Sequence, residues 1–124
     1  MSLQLKLNPE SNLPPFRQIA EQLRAAILAE TLPAGAQLPS VREMAAELSV
    51  NPLTVARAVN ELETAGLIES RWGKGNFIRP MTPAVREEAR ERAFQALLQD
   101  FLQAAGRLGF TAADAAKAVR AGIN

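Results

Sequence analysis

The stretch between Gln37 and Pro80 constrains the fold more strongly than any other part of the chain, because it encodes two short helices joined by a tight turn. Ser40 and Glu43 have the spacing of a capping box, in which the two side chains bond the unpaired amides at a helix start. Asn51 restarts a helix, since asparagine is a favoured N-cap and the proline after it suits the first helical position. The pattern predicts a helix–turn–helix.

A β-hairpin is predicted directly after the second helix. Two short apolar runs, one beginning at Leu67 and the other at Asn76, flank the turn Gly73-Lys74-Gly75. The glycines of this turn supply the positive φ that a tight hairpin needs. Helix, turn, helix and β-ribbon is the order in which small domains present one helix and one hairpin to a DNA duplex.

The segments before this stretch carry weaker patterns. Apolar residues at three- and four-residue spacing predict an amphipathic helix from Pro15 to about Glu30. Residues 36–38 are long enough only for a minimal strand. The alternating leucines of residues 3–7 predict either a short strand or an ordered arm.

The chain after Pro80 reads as a helical tail. Pro80 and Pro83 mark a boundary, a long helix follows to about Ala105, and Thr111 is placed to cap a last helix. We therefore predict two domains, residues 1–80 and residues 81–124. The expected fold class is mainly α with a small β-hairpin, a winged helix-turn-helix domain followed by a two-helix C-terminal dimerisation segment.

The tail carries an apolar stripe that needs a partner. Its members are Phe94, Leu97, Leu98, Phe101 and Leu102 on the long helix and Val119 on the last one. The stripe either covers the first domain or pairs with the same stripe of a second copy. Roughly forty residues in two helices are too few to enclose a ligand cavity or to be stable alone, so we favour a homodimer.

Composition excludes several classes of function. The chain has 124 residues, of which 48% are hydrophobic, which is enough for a packed core. It contains no cysteine and no histidine, so disulfides, thiolate metal sites and imidazole catalysis are all excluded. No apolar run approaches the ~20 residues needed to span a bilayer, and the N-terminus lacks a signal-peptide layout. We expect a cytoplasmic protein with no membrane partner.

Carboxylates at helical spacing are the remaining catalytic candidates. Glu43 and Glu47 lie one turn apart, as do Glu87 and Glu91. Such carboxylates, mixed with arginines, usually form a solvated, ion-paired helix face. The turn at Lys74 lacks the length and ending of a phosphate-binding loop. We predict that the protein is not an enzyme and needs no cofactor or metal.

DNA recognition is the stronger interpretation. A reading helix needs small or polar residues at its exposed N-terminal end, as Asn51, Thr54 and Arg57 provide. Because the net charge is only +1, a DNA-binding surface requires positive charge to be concentrated locally. The chain meets this requirement after Glu69, since no acidic residue follows it before residue 87. The predicted DNA-binding residues are Ser40, Arg42, Asn51, Leu53, Thr54, Arg57, Arg71, Lys74 and Gly75.

Each of these assignments has a structural alternative. Arg42 and Arg57 would then be surface residues paired to nearby glutamates, and Lys74 would serve only solubility in an ordinary hairpin. Asn51 is a helix cap first and a DNA contact second. For Trp72 we favour packing under the hairpin over contact with DNA.

The motifs resemble the GntR family of bacterial transcription regulators over residues 15–79. The resemblance is carried by PFRQIAEQLRAAI, LPAGAQLPSVREMAAEL, VNPLTVARAVNELETAGLI and RWGKGNFI, and the short tail is similar to that of the YtrA subfamily. It implies a winged helix-turn-helix homodimer that binds a palindromic operator and usually represses transcription. It also implies DNA contacts at Arg42, at residues 51–57, and at Lys74 and Gly75.

Two positions depart from the family pattern. Pro52 stands where many members carry a basic residue, which puts more of the readout on Arg57. Leu53 stands where a polar residue is usual, so it would contact either a thymine methyl group or nothing.

We therefore predict a sequence-specific transcriptional regulator, a repressor that binds a double-stranded DNA operator as a homodimer. The alternative is a winged-helix protein–protein interaction module without DNA binding, since a fold alone does not fix function. The basic residues of the predicted reading face favour DNA. The chain has no sizeable effector domain, so a small-molecule effector would have to use the groove between tail helices and wings, or act through a partner.

Overall fold

A computed structural model describes residues 3–123 of the chain. These residues divide into two compact units, the first ending at Pro83 and the second beginning at Ala84. The elements in chain order are α1 (Pro15–Leu28), α2 (Val41–Leu48), α3 (Pro52–Thr64), β1 (Ile68–Arg71), β2 (Gly75–Ile78), α4 (Pro83–Arg107) and α5 (Ala112–Ile123). The predicted fold class, mainly α with one small hairpin and a helical C-terminal segment, is confirmed. No helix within residues 3–123 is long and apolar enough to cross a membrane.

Helix α1 supplies one wall of the core of the first unit. Pro15 occupies its first turn, and Ile19, Leu23 and Ile27 recur on one buried face. This face packs against α3. Burial of each such side chain contributes about 1.5–3 kcal/mol, so packing rather than helix propensity fixes α1 in place.

The helix–turn–helix follows the caps that the sequence predicts. The backbone amide of Glu43 donates to Ser40 Oγ at 3.1 Å, and the amide of Ser40 donates to Glu43 Oε1 at 3.2 Å. Helix α2 ends at Leu48, and its C-cap Ser49 adopts the left-handed conformation with φ 56°. Asn51 Oδ1 then accepts a hydrogen bond from the amide of Leu53 at 2.8 Å. Each cap stabilises its helix by about 1 kcal/mol and fixes where it begins.

Strands β1 and β2 form an antiparallel hairpin, which we call the wing, with residues 72–74 as its tip. The predicted minimal strand is a single bridge between Gln37 and Phe77 on the outer side of β2. Backbone hydrogen bonds extend this edge, from the amide of Leu38 to the carbonyl of Asn76 at 2.9 Å and from the amide of Ile78 to the carbonyl of Ala36 at 2.8 Å. The loop between α1 and α2 thus holds the wing.

The N-terminal segment is an ordered arm rather than a strand, which decides between the two predictions made for it. The side-chain amide of Gln22 donates to the Lys6 carbonyl at 2.6 Å and accepts from the Lys6 amide at 3.0 Å. Gln18 binds Asn8 in the same two-sided manner, at 2.8 and 3.1 Å. Two glutamines one turn apart on α1 therefore pair with the arm as a neighbouring strand would.

The second unit consists of α4 and α5. Thr111 caps α5 as predicted, accepting a hydrogen bond from the amide of Asp114 at 3.1 Å. The amide of Thr111 donates back to Asp114 Oδ2 at 2.8 Å. Hydrogen bonds to the Asp114 carboxylate from the backbone amide and the side chain of Thr111 hold the pKa of Asp114 below its usual value, because they favour the charged form. Helix α4 contains no buried residue along its 25 residues.

Candidate nucleic-acid interface

The exposed face of α3 is the centre of the candidate interface. Val55, Ala58, Val59 and Leu62 point into the core, so the opposite face of the helix turns outward. Leu53 is 75% exposed, and Arg57 and Asn60 are exposed on the same side. Asn60 was missed by the sequence analysis, although its position seven residues after Leu53 places it on this face. The outward face of α3 therefore presents Leu53, Arg57 and Asn60, whereas Thr54 is half-buried.

Arg57 lies on an aromatic ring instead of pairing with a glutamate. Its guanidinium carbon is 3.6 Å from the centroid of the Phe16 ring, at the start of α1. Among residues 3–123 no ion pair is formed by Arg57. The glutamate-paired alternative is therefore wrong for this arginine. A stack uses the face of the guanidinium, whereas its five N–H donors lie in the plane and point outward.

A cluster of two arginines and a glutamate holds α1 to α3 beside this stack. Arg17 Nη1 donates to Glu61 Oε2 at 2.7 Å, and Arg24 Nη2 lies 3.6 Å from the same oxygen. The three side chains are about one-third exposed, so the cluster contributes at most about 1 kcal/mol to stability. It adds a polar contact between α1 and α3 to the apolar packing that joins them.

The start of α2 and the tip of the wing border one open cleft of about 490 Å³. Ser40, Lys74 and Gly75 all line it, together with Gln37. Three of the predicted DNA-binding residues are therefore brought to one cleft.

Arg42 is exposed in the first turn of α2 and forms no ion pair within the described residues, so its glutamate-paired alternative is also wrong.

Gln37 is a supporting residue that the sequence analysis missed. Its Nε2 donates to the carbonyl of Lys74 at 2.7 Å, which ties the tip of the wing to the α1–α2 loop. Gly75 has φ +112°, and a Cβ at this position would lie 2.9 Å from Gln37 Nε2. The backbone conformation therefore favours glycine here, and a larger residue would also displace the Gln37 side chain from the Lys74 carbonyl. The one sequence signal for this position was the minimal strand predicted over residues 36–38, which includes Gln37 and would pair with the hairpin.

Arg71 and Trp72 of the wing differ in their contacts with the rest of the protein. The Arg71 guanidinium carbon lies 4.0 Å from the Phe77 ring centroid, and its Nη2 lies 3.6 Å from Glu69 Oε2. Arg71 is thus engaged within the wing. Trp72 is 99% exposed, so the prediction that it packs under the hairpin is wrong. Trp72 lies in the turn closed by the hydrogen bond from the Lys74 amide to the Arg71 carbonyl.

The candidate carboxylate pairs have structural roles. Glu43 completes the cap of α2, Glu87 accepts from Arg90 at 3.1 Å, and Glu91 accepts from Gln95 at 3.3 Å. Within residues 3–123 no group of acidic side chains is arranged to hold a metal ion. Glu43 therefore supports a helix end, and Glu87 and Glu91 belong to a solvated helix face.

Comparison with known proteins assigns this architecture. The family model described as bacterial regulatory proteins of the gntR family matches residues 15–78, from the start of α1 to the end of the wing. The chain belongs to this family. The regulator YhcF of Bacillus subtilis is 36% identical over 102 residues, covering 82% of this chain and 84% of YhcF. The repressor YtrA of the same organism is 39% identical, over 60% of this chain and 57% of YtrA.

Solved structures agree with the family assignment. A GntR-family regulator from Listeria monocytogenes superposes with a TM-score of 0.72 at 29% identity, covering 90% of this chain and 96% of that one. YtrA from Sulfolobus acidocaldarius gives 0.59 at 34% identity, covering 76% and 97%. The AraR DNA-binding domain in complex with operator ORX1 gives 0.54 at 26% identity, covering 59% and 93%. The chain is a YtrA-like GntR regulator with a winged helix-turn-helix DNA-binding domain.

Proposed function

We propose that this GntR regulator is a homodimeric, non-enzymatic repressor that binds a palindromic operator. Residues 1–80 would serve as the DNA-binding domain and residues 81–124 as the dimerisation domain. The observation that carries the proposal is the uncovered N-terminal face of α3, with the Arg57 guanidinium held on that face. The AraR domain, which superposes on part of this chain, was solved bound to its operator.

The side chains of α3 are assigned to reading bases. Arg57 offers a planar fork that matches the O6 and N7 atoms of guanine, and Thr54 offers a hydroxyl to phosphate and a methyl to thymine. Leu53 is apolar and 75% exposed, which suits a thymine methyl group. Asn51 uses its side-chain oxygen as the helix cap, so we assign its contact to the phosphate backbone.

The residues of α2 and the wing are assigned to the phosphate backbone. Arg42 and Ser40 lie at the start of α2, where the helix dipole favours anions. Lys74 at the tip of the wing and Gly75 at the start of β2 line the cleft next to Ser40. Arg71, at the end of β1, is assigned to phosphate as well. Such contacts fix the register of a protein on DNA and make its affinity fall as salt rises.

A second copy of the chain is the proposed partner of the tail. Phe94 is 59% exposed, Leu97 57% and Phe101 49%, and all three recur along one face of α4. Leu98 and Leu102 lie on the same stripe, and Val119 of α5 is 51% exposed. Full burial of one such side chain contributes about 1.5–3 kcal/mol, so leaving the stripe in water is unfavourable. A twofold axis that pairs identical stripes also matches the symmetry of a palindromic operator.

Fluorescence anisotropy with a duplex selected by the protein from a random-sequence library tests this function. A scrambled duplex of the same composition is measured beside it, at low and at physiological salt. We expect binding to the selected duplex at least ~10³-fold tighter than to the scramble at physiological salt. Weak binding to both, abolished by salt, would contradict the proposal and favour a protein–protein interaction module.

The single tryptophan of the chain reports on the wing. Trp72 is 99% exposed in the free protein, so its emission is expected at long wavelength with strong quenching by acrylamide. Docking of the wing on DNA is expected to shift the emission to shorter wavelength and to protect it from this neutral quencher, because DNA displaces water from the indole. The scrambled duplex at physiological salt is the control. Unchanged quenching at saturating operator would show that the wing tip stays off the DNA.

A further inference from the structure

We propose that Phe16 is a positioning residue for sequence recognition, whose ring holds the Arg57 guanidinium in place before DNA arrives. The inference rests on the proposed function of α3 as the reading helix. It adds a residue of α1, outside the helix–turn–helix and the wing, to the determinants of base preference.

The contact geometry selects Arg57 as the cation that the ring holds. Arg57 lies 3.6 Å from the centroid of the Phe16 ring, whereas Arg17 lies 5.1 Å away. Arg17 also has a carboxylate partner, Glu61, at 2.7 Å. Within residues 3–123 the Arg57 guanidinium contacts this ring and forms no ion pair with a carboxylate.

A ring is chemically better suited than a carboxylate to hold an arginine that must bind DNA. A carboxylate would occupy the N–H donors and neutralise the charge that a phosphate or a base acceptor needs. An aromatic face attracts the cation through its quadrupole and leaves the edge of the guanidinium available. The stack therefore orders the side chain without using the atoms that recognise DNA.

Phe16 is itself fixed by its position at the start of α1. The next turn of the helix carries Ile19 and Ala20, both with no exposed surface. Arg17 ties the same turn to Glu61 of α3. The ring and the reading helix therefore belong to one rigid block, which reduces the rotamer freedom that Arg57 loses on binding.

Base preference in a set of variants tests the inference. Arg57→Ala first identifies the base pair that this arginine reads, on the duplex selected from a random library and on its single-base variants. Phe16→Leu keeps an apolar side chain but removes the ring. We expect it to lower the preference at that base pair by about two- to fivefold, the range of a cation–π contact at an exposed site. Phe16→Tyr keeps the ring and is expected to retain the preference.

Three further measurements separate positioning from general support. The salt dependence of binding should be unchanged in Phe16→Leu, because no charge is lost. The double variant Phe16→Leu/Arg57→Ala should discriminate no worse than Arg57→Ala alone, because the two residues act as one unit. Phe77→Leu makes the same change under Arg71, which lies 4.0 Å from that ring, and should leave the preference at the Arg57 base pair intact.

Each contrary result has a distinct meaning. An equal loss of affinity on every duplex in Phe16→Leu, or an unchanged preference at the Arg57 base pair, would overturn the positioning role while leaving the proposed function intact. Thermal unfolding of each variant, with Phe16→Met as a second ring-free replacement, identifies losses caused by unfolding. A wild-type protein that does not discriminate between selected and scrambled duplexes would overturn the proposed function itself.

Discussion

Phe101→Glu is expected to convert the proposed homodimer into monomers and to weaken binding to a two-half-site operator by about 10²- to 10⁴-fold. Phe101 belongs to the exposed stripe of α4 and is 49% exposed in the single chain. A carboxylate at this position would meet its own copy or an apolar surface across a twofold interface, where an unpaired charge is strongly disfavoured. Loss of the dimer removes the effective concentration that recruits the second DNA-binding domain.

Sedimentation and DNA binding together measure this effect. Gln103→Glu is the matched control, because it adds the same charge to α4 at an exposed position half a turn round the helix from Phe94. The control should remain dimeric and bind the operator as the wild type does. Both variants should bind a single half-site equally, since the DNA-binding surface is unaltered. A Phe101→Glu protein that remains dimeric would show that the stripe is not the interface.

Arg57→Ala is expected to cost about 1–3 kcal/mol of binding free energy on the preferred operator and to relax base preference at one position per half-site. The physical reason is the loss of a bidentate donor pair facing a purine edge, where a wrong base leaves the donors unsatisfied. Competition binding against all single-base variants of the operator measures the change.

Lys74→Ala is the comparison that separates base reading from phosphate contact in this experiment. A lysine at the wing tip that binds phosphate should, when removed, weaken all duplexes similarly and reduce the salt slope by about one per subunit. If Arg57→Ala instead weakens every duplex equally, the arginine contacts only the backbone, and base reading must be assigned to other residues of α3.

The sequence by itself determined the elements and their order. The capping box of Ser40 and Glu43 and the N-caps Asn51 and Thr111 act over no more than three residues, so the local sequence is enough to place them. The predicted helix boundaries lie within about two residues of the observed ones for the same reason. The family assignment followed from these local motifs and is confirmed, whereas the DNA-binding and dimerisation residues stay predictions.

Only the tertiary structure decided what surrounds the candidate site. The bond from Gln37 to the Lys74 carbonyl joins residues 37 positions apart, and Gln22 pairs with Lys6 across 16 positions. The stack of Arg57 on Phe16 likewise exists only because α1 packs against α3. Such contacts depend on how helices and strands pack against one another. The periodicity of apolar residues predicts which face of a helix is buried, but it does not predict which residue of another element contacts that helix. For that reason the sequence predicted which residues face outward on α3, whereas only the tertiary structure revealed that the Phe16 ring contacts Arg57.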